Sequence, residues 1–236
     1  MSVKTESIVT IIPARGGSKG LPRKNILCLG NRPLIAWTIQ AALDCQELEN
    51  IIVSTDDQEV AEIARQWGAG VPFMRPVELA GDDTSVEAVV FHLLEWFEYS
   101  KGFLPEVVCL LQPTSPLRTG EDISKALELM HIKNANAVVS VTPNPRPVQW
   151  LRRLGADGKL MPYCAEQEIK QRQKAEPLFL LNGAIYLIKT DLLLKGKTFY
   201  PEGAIAYTMP LQNSIDIDTE LDFIFAEALL DKRLRL

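Results

Sequence analysis

Long hydrophobic runs are missing from this chain. No uninterrupted apolar stretch in its 236 residues approaches the roughly 20 needed to cross a bilayer, and residues 1–7 are polar. A membrane partner is therefore not expected, and the sequence predicts a cytoplasmic protein. Basic charge is scarce as well. Lys and Arg number 25 against 30 Asp and Glu, a net charge of -5, which excludes the broad cationic footprint of a general nucleic-acid binder. The four cysteines, Cys28, Cys45, Cys109 and Cys164, have no metal-ligand spacing and read as reduced cytosolic thiols. Of the two histidines, His92 stands in a helical stretch and His131 ends another; both read as structural or surface residues, and no Ser–His–Asp set accompanies them. Neither a Walker A motif nor the dinucleotide fingerprint G-x-G-x-x-G is present.

What is there is a globular α/β pattern. The chain is 47% hydrophobic and 23% charged, enough for one sizeable core and too apolar for disorder. Buried strands are predicted at 8–12, 51–54, 107–111, 137–141, 178–188 and 204–209, with a shorter one at 71–74. Between them lie helices that start at Pro33, at Asp56 or Asp57, at Thr84 or Ser85, and near Asp122. A last helix runs from Thr219, with Leu221, Ile224, Phe225, Ala228 and Leu229 forming its inward face. The alternation predicts right-handed βαβ units and a mainly parallel sheet in a single domain. Residues 143–177, rich in Pro and polar side chains, break the rhythm and read as an insert, a lid or an arm packing on another subunit.

Three segments carry chemistry. The loop after the first strand, with Arg15, Gly16, Gly17, Lys19, Gly20, Arg23, Lys24 and Asn25, combines backbone amides freed by glycine with four cations, which suits a polyphosphate. Four like charges so close repel one another without a counter-anion. The alternative is a solvated connecting loop. Near the other end, Ser214-Ile215-Asp216-Ile217-Asp218 puts two carboxylates on one side of an extended segment and two isoleucines on the other. The carboxylates suit Mg²⁺ beside substrate phosphate, or one of them caps the last helix. Third, Gln112, Thr114, Ser115 and Arg118 follow a buried strand and suit a polar substrate, unless Arg118 merely pairs with Glu121. Together they point to nucleotidyl transfer, in which a hydroxyl attacks the α-phosphorus of a nucleoside triphosphate and pyrophosphate leaves.

Residues 12–25 closely resemble the opening motif of the acylneuraminate cytidylyltransferases (CMP-sialic acid synthetases). The likeness continues through 52–56, Arg75-Pro76, Glu78-Leu79-Ala80, 110–118, 182–186 and 214–221. The resemblance implies a Rossmann-like nucleotidyltransferase fold, CTP and Mg²⁺, a homodimer, and a dimerisation arm at about 143–177. It further implies that Arg15, Lys24 and Asn25 contact the CTP phosphates and that Arg75 and Ser85 lie near the cytosine. Gln112 would contact the sugar, Arg172 would lie near the substrate, and Asp216 and Asp218 would hold Mg²⁺, with Asp218 also catalytic. Gln149 and Leu180 stand where some members carry basic residues, so the sugar is left open among N-acetylneuraminic, legionaminic and pseudaminic acids. A non-catalytic nucleotide-sugar-binding homologue, or a transferase using another nucleoside triphosphate, is the alternative.

Overall fold

The computed structural model describes residues 7–18, 20–163 and 176–234. Strand β1 (Ile8–Pro13) leads through the glycine-rich loop to a short hairpin, β2 (Cys28–Leu29) and β3 (Arg32–Pro33). Helix α1 (Leu34–Leu43) follows, with Pro33 as N-cap, where its missing amide forfeits no helical bond. After β4 (Asn50–Ser54), helix α2 (Gln58–Gln66) is capped by Asp57, whose carboxylate accepts from the Val60 amide. Ser85 caps α3 (Val86–Lys101) in the same manner. Strand β5 (Val107–Leu110) is followed by α4 (Gly120–Ile132), opened by a reciprocal Thr119–Asp122 capping box. Then come β6 (Ala137–Pro143), a solvent-exposed antiparallel hairpin of β7 (Arg152–Leu154) and β8 (Leu160–Pro162), and β9 (Phe179–Lys189). Helix α5 (Thr190–Gly196), β10 (Ile205–Thr208) and α6 (Glu220–Leu234) complete the order.

Six strands form one sheet in the order β10-β6-β9-β5-β1-β4. All neighbours are parallel except that β9 runs antiparallel between β5 and β6. Side chains alternate between the two faces as period 2 requires. Ile8, Ile12, Val53, Cys109 and Leu187 pack under α1, α2 and α4, while Val9, Ile11, Val108, Leu110 and Ile188 pack under α3 and α5. Among the described residues no helix is long and apolar enough to cross a membrane.

Two expectations fail. No strand forms at 71–74; Gly70 makes one isolated bridge to Ile52, and Pro72, lacking an amide donor, cannot extend it. Helix α6 turns a different face inward. Ala226 and Leu230 are buried, with Phe223 and Leu229 beside them, whereas Leu221, Ile224 and Phe225 are each more than half exposed and Ala228 is exposed too. Apolar residues surround this helix, so its periodicity does not single out one stripe. Within 143–177 the described residues carry the β7–β8 hairpin; residues 164–175, with Cys164 and Arg172, lie outside the described residues.

Candidate active site

Strand β1 is flanked by β4 on one side and β5 on the other. Chain order reverses between β1 and β5, and in open α/β sheets such a reversal opens a crevice beyond the strand carboxyl ends. A cavity of about 490 Å³ lies there, lined by Pro13, Arg15, Ser18, Gly20, Lys24, Asn25, Gln112, Pro113, Thr114 and Asp218. All three sequence segments thus meet in one place.

The cationic loop is held by acids from distant parts of the chain. The Gly16 amide donates to Asp56 Oδ1 at 3.0 Å, and a Cβ on Gly16 would stand 2.6 Å from Asp57 Oδ2. Arg23, in a left-handed conformation with φ 55°, reaches Asp57 at 3.1 Å and Glu59 at 2.6 Å. It therefore braces the loop against α2 and is absent from the cavity wall. Arg15 pairs with Asp82 at 2.8 Å. Asn25, only 5% exposed, donates from Nδ2 to the Arg15 carbonyl at 2.9 Å, and its Oδ1 has no partner. The repulsion inferred from four adjacent cations is thus relieved in part by protein carboxylates. Lys19 lies outside the described residues.

The segment 214–218 keeps the expected alternation. Ile217 is buried and Ile215 packs against the same cluster, while Asp216 and Asp218 face the open side. The Ile217 amide donates to the Thr114 carbonyl at 2.8 Å, tying this segment to the loop after β5. Lys24 Nζ closes the arrangement, donating to the Ile217 carbonyl at 2.6 Å and to Asp218 Oδ1 at 3.1 Å. Gly20 lies against the Asp218 main chain, where any Cβ would collide with the carbonyl oxygen. Capping of α6 falls to Thr219, which exchanges hydrogen bonds with Asp222, so Asp218 is not consumed as the cap. Desolvation raises the Asp216 pKa above the ordinary carboxylate value; the charges of Asp218 and Asp222 push the same way, and the Thr114 side chain and Lys24 oppose them. Among the described residues no group of three or more His, Cys, Asp or Glu gathers as a metal cage.

Gln112 reaches over the backbone of Gly183. A Cβ on Gly183, whose φ is +71°, would stand 2.9 Å from Gln112 Oε1 and 3.5 Å from Asp216 Oδ2. The sequence assigned this glycine no role and read Gly20 only as freeing loop amides, because what each supplies here is space rather than a functional group. Asp82 too was missed, although acids at 82 and 83 follow the Leu79-Ala80 pair. Arg75 and Ser85 lie outside the cavity wall. Arg75 is buried and donates to the Ser54 hydroxyl at 3.1 Å and to the Ser54 carbonyl; burial lowers its pKa to about 10. Ser85 is taken up by its helix cap. Arg118 does not reach the cavity either, and Glu121 pairs with Lys125 instead, at 2.6 Å. His92 packs edge-on to Phe73 and His131 is exposed, both remote from this wall.

Residues 9–178 match the sequence model of the family described as Cytidylyltransferase. The chain belongs to the cytidylyltransferase family. This cytidylyltransferase is 39% identical over 225 residues to a CMP-N,N'-diacetyllegionaminic acid synthase of Legionella pneumophila, covering 95% of this chain and 96% of that protein. It is 36% identical to an N-acylneuraminate cytidylyltransferase of Escherichia coli over 97% of this chain but 53% of the relative, so it spans about half that protein's length. A pseudaminic acid cytidylyltransferase of Campylobacter jejuni is 30% identical, covering 93% of this chain and 94% of the relative. Among solved structures, a CMP:2-keto-3-deoxy-manno-octonic acid synthetase complexed with CTP superposes with a TM-score of 0.69 at 18% identity, covering 96% of this chain and 99% of that one. A 4-diphosphocytidyl-2C-methyl-D-erythritol synthase from Anaerococcus prevotii does so with 0.66 at 15%, covering 97% and 100%. The cytidylyltransferase thus has the Rossmann-like nucleotidyltransferase fold, a mainly parallel sheet between two helical layers.

Proposed function

We propose that this cytidylyltransferase joins CMP from CTP to the anomeric hydroxyl of a nonulosonic, sialic-type acid, releasing pyrophosphate. The observation that carries the reading is the contact of Lys24 with Asp218, which joins the cationic loop to the acidic pair at the rim of one cavity. Relatives named for N-acylneuraminate, diacetyllegionaminate and pseudaminate support the acid class.

In this reading Arg15 and Lys24 neutralise the triphosphate and Asn25 fixes the loop that carries them. Asn25 Oδ1, an acceptor, suits a hydroxyl donor of the nucleotide better than a phosphate oxygen. Two neighbouring carboxylates, with no third His, Cys, Asp or Glu gathered beside them among the described residues, match the donor set of Mg²⁺, which completes its shell with water and substrate phosphate. Asp216 and Asp218 would hold that ion, and it would supply charge neutralisation at the phosphates. Gln112 orients the sugar acid. The hydroxyl oxygen forms a bond to the α-phosphorus while the bond to the pyrophosphate oxygen breaks. The hydroxyl proton passes to the acidic pair, where Asp216, made more basic by desolvation and facing the same glycine, Gly183, as Gln112, is well placed to take it. Arg75, Ser85 and Arg172 keep their assignments near the cytosine and the substrate as proposals.

The protein would act in the cytoplasm, in keeping with the free thiols of Cys28, Cys45 and Cys109, and as a homodimer through 143–177. Exposed Trp150, Leu154, Leu160, Met161 and Tyr163 favour an arm that packs on a second copy. The deciding experiment is pyrophosphate release with each of four nucleoside triphosphates against a panel of α-keto sugar acids, with and without Mg²⁺. Release confined to CTP, one nonulosonic acid and Mg²⁺ supports the reading; release with a different triphosphate overturns it.

A further inference from the structure

A guanidinium sits inside the protein directly behind the cavity. Arg118 is 2% exposed. Its Nη1 donates to the carbonyls of Gln112 at 3.3 Å, Ser115 at 3.2 Å and Ala184 at 3.4 Å. Its Nη2 donates to the Gln112 carbonyl at 3.0 Å and to the Thr38 hydroxyl at 2.9 Å. Among the described residues every one of these partners is a neutral oxygen, and Nε has none. Burial lowers the Arg118 pKa to about 10, and the charge of Asp122, which makes no direct contact with it, opposes that shift without cancelling it. A cation so placed adds little to stability that apolar packing would not exceed. What it supplies is geometry.

The turn it holds is poor in bonds of its own. Pro113 and Pro116 lack amide hydrogens, and within the turn a single backbone bond runs from the Ser115 amide to the Gln112 carbonyl at 3.3 Å. Arg118 fastens that turn to α1 through Thr38 and to β9 through Ala184, the residue after Gly183. The planar fork holds the carbonyls with one nitrogen and the Thr38 hydroxyl with the other, a two-ended grip that the single nitrogen of a lysine cannot reproduce.

We propose that Arg118 is a positioning residue for the acceptor half of the site: it clamps the 112–115 turn so that the Gln112 side chain stays over Gly183 beside Asp216. The clamp rests on the reading that Gln112 meets the sugar acid. It leaves the nucleotide half, built on Arg15, Lys24 and Asn25, untouched.

The test is a double-mutant cycle of Arg118→Lys with Gln112→Ala, and of Thr38→Val with Gln112→Ala. Each substrate is varied separately, and binding of CTP and of the sugar acid is also measured by calorimetry. Loss of hydrogen bonds to a charged group should raise the KM for the sugar acid in Arg118→Lys by about tenfold or more and leave that for CTP within about twofold. Thr38→Val, which removes one anchor and keeps the shape, should move the same parameters in the same direction by less. The double variants should be little worse than Gln112→Ala alone, because the clamp acts through Gln112. Equal shifts for both substrates, or additive losses in the cycles, would overturn the clamp. If Arg118→Lys fails to fold, the Thr38→Val cycle decides by the same criteria. A Gln112→Ala protein with unchanged sugar KM and affinity would instead overturn the reading of the site, a result distinct from failure of the clamp.

Discussion

Arg15 and Asp82 stand 2.8 Å apart, joining the loop after β1 to the turn before α3, with the Gly81 carbonyl accepting from the same guanidinium at 3.2 Å. Both side chains are partly exposed, so the pair contributes no more than about 1 kcal/mol. A triphosphate carries more charge than one carboxylate and would draw Arg15 away. Asp82→Asn should therefore lower the KM for CTP by about two- to fivefold, whereas Arg15→Ala should depress kcat/KM for CTP by about a hundredfold. Initial rates at varied CTP check both; an Arg15→Ala enzyme with native kinetics would remove this residue from the phosphate site.

The two aspartates lend themselves to a charge test. The Asp216 pKa is raised by desolvation and by the neighbouring carboxylates. A carboxyl with a raised folded pKa binds protons more readily in the folded state, so stability falls as pH rises through that pKa and recovers below it. Asp216→Asn should thus raise the melting temperature of the metal-free protein at neutral pH. It should also abolish stabilisation by added Mg²⁺ and cut turnover by about a hundredfold or more. Thermal melts with and without Mg²⁺, at neutral and at mildly acidic pH, read all of this; Mg²⁺ stabilisation that survives the substitution counts against the metal assignment.

Two glycines should be intolerant for different reasons. Gly183→Ala forces an L side chain into a left-handed conformation, costing about 1–2 kcal/mol, and drives a methyl group toward Gln112. The expected outcome is a folded, slightly less stable enzyme with a raised KM for the sugar acid. Gly20→Ala meets the backbone of Asp218, so the loop and the acidic segment must separate. Its kcat should fall by about a hundredfold, with a native circular dichroism spectrum. Steady-state kinetics with each substrate separate the two patterns.

Apolar residues on the β7–β8 hairpin give an oligomerisation test. Leu154 and Leu160, paired across the hairpin, are 73% and 70% exposed. A Leu154→Glu/Leu160→Glu protein should sediment as a monomer while the native protein sediments as a dimer. Native-sized assemblies of the variant would exclude the hairpin as the interface.

The elements that sequence reads well here are those with local chemistry. Ser85, Asp57 and Pro33 stand at helix starts because caps and fixed φ angles act within one turn. The convergence of the cationic loop and the acidic pair was legible too, because both suit the same metal-bound phosphate; that Lys24 itself touches Asp218 was not. Charge partners across the fold were not legible. Nothing adjacent in sequence tells that Arg23 braces α2 through Asp57 and Glu59 while Lys24, its neighbour, enters the cavity. Arg118 looked like a substrate contact for the same reason: its carbonyl partners leave no mark on composition. The inward face of α6 was misread because Phe223, Ala226 and Leu230 compete with Leu221, Ile224 and Phe225 on a helix apolar all round.

Strand β9 joins two environments. Phe179, Leu180 and Leu181 are each about half exposed at its start, whereas residues 182–188 run buried through the sheet, with the left-handed Gly183 at the joint. The same strand is therefore the root of the irregular segment and the floor under Gln112. The end of 143–177 is thereby anchored beside the Gln112 side of the cavity, with β5 between it and β1.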